Sequence, residues 1–152
     1  MDETELCRLF NAIHTIPSVH RKADWCLKWF DRDSYSFGTR LIAFAIVEGV
    51  FFSSSFAAIF WIRSRGLLPG LCHSNELIMR DEGQHMEFAC KLYKVLAEEV
   101  PVSVIHDMIK DAVALEQAFF VCEFQSVDIF RWRCLISAQL RCRRRFGGST
   151  PY

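Results

Sequence analysis

Three side chains have the types and spacing to hold a metal ion together: Glu48, Glu82 and His85. Glu82 and His85 stand three residues apart, so on a helix both project from one face and can reach the same ion. Their stripe continues through Ile78, Ala89 and Leu92. Glu48 falls in an apolar stripe of its own, with Phe44, Phe52, Ser55, Phe56 and Ile59 at helical spacing. A carboxylate in such company needs a cation, a metal or a proton, because desolvating the bare anion is expensive. One Glu plus one Glu-x-x-His on consecutive antiparallel helices is half of the ligand set with which helical bundles bind two metal ions. Oxygen and imidazole donors suit iron or manganese, and the positions such centres leave open admit dioxygen. Spacing alone leaves two other arrangements standing: Glu48 paired with Arg80, and His85 as a hydrogen-bonded core histidine.

The elements that must position these residues are helices. Leu6, Leu9, Phe10 and Ile13 form one face of an N-terminal helix, which Pro17 and Ser18 break. Ser18 is a candidate cap for a second helix carrying Val19, Ala23, Leu27 and Phe30. A polar turn over 31–36 precedes one long apolar helix from Phe37 to Arg65, stopped by Gly66-Leu-Leu-Pro-Gly70. Ser74 is the expected N-cap of the next helix, with Glu76 placed to favour its positive end. That helix runs to about Glu99, and Pro101 closes it. Another starts at Pro101 or Ser103, with Ile105, Ile109, Ala112, Val113, Leu115 and Phe119 spaced for burial. Val127 to Leu140 is a further helical candidate. The expected fold class is all-α, a helical bundle with short connections.

Composition agrees with that class. The 152 residues suffice for about one domain with a sizeable core. Only 7 Gly and 4 Pro argue against many short strands joined by tight turns. The net charge of zero gives no whole-protein case for nucleic acid, but it is unevenly spread. Up to residue 130 there are 12 basic and 18 acidic residues; from 131 onward there are six Arg and no acid. The seven Cys form no CxxC pair, which favours reduced thiols in a cytoplasmic setting over a disulfide framework or zinc site. Residues 1–5 are polar and acidic, unlike a secretory signal. Leu41 to Ile62 has the length of a membrane span, yet Glu48 lies near its middle and three serines follow, so a buried core helix is expected and no membrane partner.

Longer strings carry a family likeness. Ile46-Val-Glu-Gly-Val-Phe-Phe-Ser-Ser-Ser-Phe-Ala-Ala-Ile-Phe-Trp61, Arg65-Gly-Leu-Leu-Pro-Gly-Leu71 and Ser74-Asn-Glu-Leu-Ile-Met-Arg-Asp-Glu-Gly-Gln-His85 resemble the eukaryotic-type small subunit of class I ribonucleotide reductase. Phe10-Asn-Ala-Ile-His-Thr-Ile-Pro17, Lys22-Ala-Asp-Trp25 and Ala112-Val-Ala-Leu-Glu-Gln-Ala-Phe119 fit the same family, so the likeness covers roughly residues 5–121. It implies part of a ferritin-like bundle and makes Glu48, Glu82 and His85 ligands of a di-iron centre. Asp81, with Arg80 beside it, is then an outer-shell group on the electron route to the iron. Phe52, Phe56 and Ile78 line the dry pocket around the family's tyrosyl radical. Such a subunit generates the radical with iron and dioxygen. It passes the oxidising equivalent to a large subunit that reduces ribonucleoside diphosphates to deoxyribonucleotides.

The likeness also has edges. The family's other Asp, Glu-x-x-His and radical tyrosine belong to helices before the matching stretch, and neither Tyr35 nor Tyr93 occupies the radical position. At the other end an acidic, Phe-terminated docking tail is expected, where this sequence reads Arg141-Cys-Arg-Arg-Arg145 and Gly-Gly-Ser-Thr-Pro-Tyr152. The expectation is therefore a partial small-subunit domain over 1–125, a divergent basic tail over 126–152, and no activity from this chain by itself. Two other roles are consistent with the residues: a non-catalytic partner of an intact small subunit, in a heterodimer, or a homodimer in which two half-sites complete one di-iron centre.

Overall fold

The break expected at Pro17 is the first turn of a helix. The computed structural model describes residues 3–124. The chain enters through α1 (Glu3–Phe10) and α2 (Ala12–Thr15) and continues into α3 (Pro17–Phe30). Ile16 is extended, and Pro17 takes the first helical position, where its fixed φ fits and its missing N–H has no partner to lose. Ser18, expected as a cap, is buried inside α3. Trp25 and Trp29 point inward from the same helix. Trp25 meets Phe51 edge-on at 5.1 Å between ring centroids, and Trp29 lies 4.8 Å from the Tyr35 ring. Tyr35 thus closes the polar turn against the core.

Ser36 caps α4 (Phe37–Ile46), accepting a hydrogen bond from the Thr39 amide at 3.3 Å. The single long helix expected from Phe37 to Arg65 is in fact two. A π-turn over Val47–Phe51 separates α4 from α5 (Ser53–Ser64). Such a turn bonds i to i+5 and accommodates an extra residue, so counting at 3.6 per turn fails across it. The expected stripe changes accordingly: Phe51 is the core residue at 3% exposure, while Phe52 is 37% exposed. The sequence across Val47–Phe51 carries no proline to mark altered winding, which is why the period suggests one helix. By length and composition Phe37–Ser64 could cross a membrane. In the fold it is the central element, packed by α3, α6 and α7, with Ala43, Ile46, Phe51 and Ala57 buried.

Gly66 (φ 70°) and Leu68 (φ 46°) reverse the backbone through the left-handed region, and Pro69 opens α6 (Pro69–Val95). Ser74 therefore sits inside α6, donating to the Leu71 carbonyl at 3.0 Å, and does not cap it. Glu76 pairs with Arg63 of α5 at 2.9 Å across the hairpin. The helix ends at Val95, short of Glu99, because the following connection is fastened elsewhere. The Val100 amide donates to the Tyr93 hydroxyl at 2.9 Å, and the Gly38 amide to Glu98 Oε2 at 3.4 Å. Tyr93 is thus an anchor for the turn into α7 (Val102–Phe124).

The buried face of α7 is Met108, Ala112 and Glu116, whereas Ile109 and Val113, expected inside, are 40% and 38% exposed. Val113 borders a cavity, which is where its apolar side is used. The core joins Trp25 and Trp29 of α3, Ile42, Ala43 and Ile46 of α4, Phe51, Val100, and Met108 with Ala112 of α7. No strand occurs among the described residues, and the all-α expectation holds. The basic stretch over 126–152 and the helix expected for Val127 to Leu140 lie outside the described residues.

Candidate metal centre

The π-turn carries Glu48, and α6 carries Glu82 and His85 one turn apart. Their ligand atoms all lie within 4.8 Å of one another. His85 Nδ1 is 3.0 Å from Glu82 Oε2 and 3.6 Å from Glu48 Oε2. Glu48 is the most enclosed, with a side chain 12% exposed against 54% for His85. Its Oε2 is buried and has no hydrogen-bond partner. A buried carboxylate oxygen left without a donor is costly. Here it faces another carboxylate and the His85 imidazole, surroundings that a cation would suit.

The protonation pattern follows from this crowding. Burial, then hydrogen bonding and repulsion from Glu82, push the Glu48 carboxyl up to about 7, with His85 opposing. Hydrogen bonding with Glu48, then with His85, lowers Glu82. Hydrogen bonding to Glu82, supported by the charge on Glu48, raises His85. Without a metal, then, a proton neutralises the pair. Two carboxylates and one imidazole converging in this way fit a first-row transition metal such as iron.

Both other arrangements left open by spacing are resolved. Arg80 is exposed and does not pair with Glu48, and His85 is too exposed to be a core histidine. Asp81 is exposed as well, and no hydrogen bond or ion pair among the described residues joins it or Arg80 to the three clustered side chains. Beside the cluster opens a mostly apolar cavity of about 580 Å³, bordered by Glu48, Phe52, Phe56, Met79, Glu82 and Val113 among others. Phe52 and Phe56 meet edge-on at 6.2 Å. Ile78, expected with them, is 44% exposed and Met79 takes its place at the wall.

Two residues escape a reading of the sequence. Lys22 of α3 and Glu116 of α7 form a buried ion pair at 2.7 Å next to the π-turn. A signal exists for Glu116, which stands four residues after Ala112 and eight after Met108 on the buried face of its helix. The reasoning that singles out Glu48 applies to it equally.

An all-helical fold that presents one Glu and one Glu-x-x-His from adjoining helices has the arrangement that supplies half of the ligand set in carboxylate-bridged helical bundles. Comparison with known sequences narrows this. The sequence model of the family described as ribonucleotide reductase, small chain, matches residues 1–136. The protein is 44% identical to a ribonucleoside-diphosphate reductase small chain of Arabidopsis thaliana, an alignment that covers 99% of its own length but 47% of the relative. It is 55% identical to the small subunit of Dictyostelium discoideum, covering 80% of its own length but 36% of the relative. Among solved structures, the ribonucleotide reductase Rnr4 homodimer from Saccharomyces cerevisiae superposes with a TM-score of 0.68 at 33% identity, over 74% of the present chain but 36% of the yeast one. The chain belongs to the ribonucleotide reductase small-chain family. It spans less than half the length of these relatives.

Proposed function

We propose that this chain supplies the Glu48, Glu82 and His85 half of the di-iron centre of a ribonucleoside-diphosphate reductase small subunit, an oxidoreductase component serving deoxyribonucleotide synthesis. The observation that carries the reading is the convergence of three ligand side chains around a buried Glu48 oxygen that has no hydrogen-bond donor. Iron bound there supplies one-electron oxidising chemistry with dioxygen. In this reading Glu48 and Glu82 hold the charge of the metal and shed the proton they share in its absence. His85 supplies the neutral donor. Phe52 and Phe56 keep water from the adjoining cavity. Asp81 and Arg80, just before Glu82 on the exposed flank of α6, are the charged groups past which an electron approaches. A dinuclear centre of this class takes one further carboxylate and a second Glu-x-x-His from outside the described residues, so the three ligands here do not act alone.

The large subunit and a second small subunit are the partners this reading requires, in the cytoplasm; the homodimeric state of the Saccharomyces relative supports the second. The test is anaerobic titration of the full chain with Fe(II), with Co(II) as a spectroscopic substitute. Binding that weakens by about tenfold or more in each of Glu48→Ala, Glu82→Ala and His85→Ala is expected. Affinity unchanged across all three variants would sink the assignment.

A further inference from the structure

A π-turn followed at once by a new α-helix leaves backbone groups that neither segment can satisfy, because the ladder changes spacing between them. Here those groups find partners on two distant helices. The Phe51 carbonyl, at the end of the π-turn, accepts from Lys22 Nζ of α3. The Ser54 amide, in the first turn of α5, donates to Glu116 Oε1 of α7 at 2.8 Å. Ser53 Oγ reaches the same Glu116 oxygen at 3.3 Å and the Val50 carbonyl at 2.6 Å. Lys22 and Glu116 then close on each other at 2.7 Å, with side chains only 14% and 8% exposed. The ammonium also lies over the Phe119 ring at 4.1 Å and the Phe51 ring at 5.2 Å. On another side the π-turn abuts α6. A Cβ on Gly49, the residue after Glu48, would come within 2.6 Å of Met86 Sδ.

We propose that Lys22 and Glu116 are positioning residues for Glu48: a buried ion pair that fixes the end of the π-turn while Gly49 lets the turn press against α6, so that the Glu48 carboxylate is held facing Glu82 and His85. The proposal rests on the reading of those three residues as metal ligands. Neither Lys22 nor Glu116 touches the metal site in this scheme. Their effect passes through the backbone of Val47–Phe51, whose rewinding to α geometry would alter the rotation between α4 and α5 by about 100°. A charged pair at this depth is a poor choice for stability alone, since desolvation offsets much of its attraction and apolar replacements of such pairs are often neutral or stabilising. Its geometry answers a different need, namely two backbone groups of opposite polarity a few residues apart.

The experiment uses the full chain, Co(II) as probe, and amide hydrogen exchange as a second readout. Glu116→Gln is expected to lower Co(II) affinity by about tenfold when Glu48 is present and by less than about twofold in the Glu48→Ala background, the non-additivity of residues acting through one another. Exchange over 49–54 is expected to quicken by about tenfold, with that of α6 around Glu82 unchanged. Where the single variant leaves Lys22 unpaired and fails to fold, Lys22→Met/Glu116→Gln, which buries no lone charge, takes its place with the same expectations. Equal losses of affinity in both backgrounds mean a general structural role and overturn the proposal, as does unchanged exchange over 49–54. Should the wild-type protein bind no Co(II), the ligand reading fails separately, and accelerated exchange in the variant still supports the fixing of the π-turn.

Discussion

Replacing Glu48 by Gln in metal-free protein should stabilise the fold above neutral pH and weaken metal binding, and the size of the gain follows from the site. The Glu48 carboxyl is held at about 7 against an ordinary 4.5, so the folded protein keeps its proton where the unfolded one has lost it. Folding stability therefore falls as pH rises from about 4.5 through about 7, and the loss is complete above that. The whole interval corresponds to roughly 3 kcal/mol at ~1.36 kcal/mol per pH unit. That is a ceiling, because the proton is shared: Glu82 is displaced downward and His85 upward by the same contacts. The raised His85 adds to the decline just above its ordinary 6.5, whereas the lowered Glu82 acts near 4.5 and below, where protonating it removes stability. Taking about half for Glu48, the Gln variant gains roughly 1–2 kcal/mol at pH 8 and nothing at pH 4, where both side chains are neutral. Urea unfolding followed by fluorescence of the buried Trp25 and Trp29, with chelator present, measures the difference across that range. Saturating Co(II) should reverse the order, since a ligand at a hundred times its Kd adds about 2.7 kcal/mol to a protein that binds it. A stability difference between variant and wild type that stays flat with pH would refute the claim that ionised Glu48 is a cost relieved by metal.

Two further substitutions probe the frame around the site. Met108→Ala empties a position that is 0% exposed where α7 meets the shared core, and should cost about 2–5 kcal/mol in urea unfolding, with ligand geometry spared. Gly49→Ala should cost about 1–3 kcal/mol by driving a methyl into Met86 and weaken Co(II) binding along with it; adding Met86→Ala should restore the binding, and failure to do so would remove the close approach as its cause.

Much of the helical frame is legible in the sequence because its signals are local. Pro17, Ser36, the Gly66–Gly70 reversal and Pro101 each mark a boundary through their own backbone preferences, and helices begin or end at or within a few residues of each. Two starts mislead for the same reason. Ser18 and Ser74 are good caps in isolation, but Pro17 and Pro69 precede them and can open a helix earlier. What remains hidden is set by contacts across the fold. The π-turn that aims Glu48 has an ordinary apolar sequence, and its register depends on Lys22 and Glu116, 29 and 62 residues distant from the groups they satisfy. A single face for Phe44, Glu48, Phe52 and Phe56 assumes a constant period, and the π-turn breaks that period so that Phe51 and not Phe52 reaches the core.

Burial of an acid among apolar residues flags Glu48 and applies with equal force to Glu116, yet the two do different things. Accounting for partners separates them. Glu116 gives one oxygen to Lys22 and the other to Ser54 and Ser53, so its charge is matched inside the protein and nothing further is required. Glu48 has an oxygen with no hydrogen-bond donor, a second carboxylate as neighbour and an imidazole lying 3.6 Å away, and its charge is offset by that exposed imidazole and by a proton. A site satisfied by its own protein is architecture, whereas one that still takes up a proton near neutral pH has the unmatched charge that the proposed metal site calls for. The two acids meet at the π-turn, one fixing its end and the other projecting from it. The cost of leaving Glu48 short of partners is therefore sustained by a turn that the fully partnered Glu116 helps hold in place.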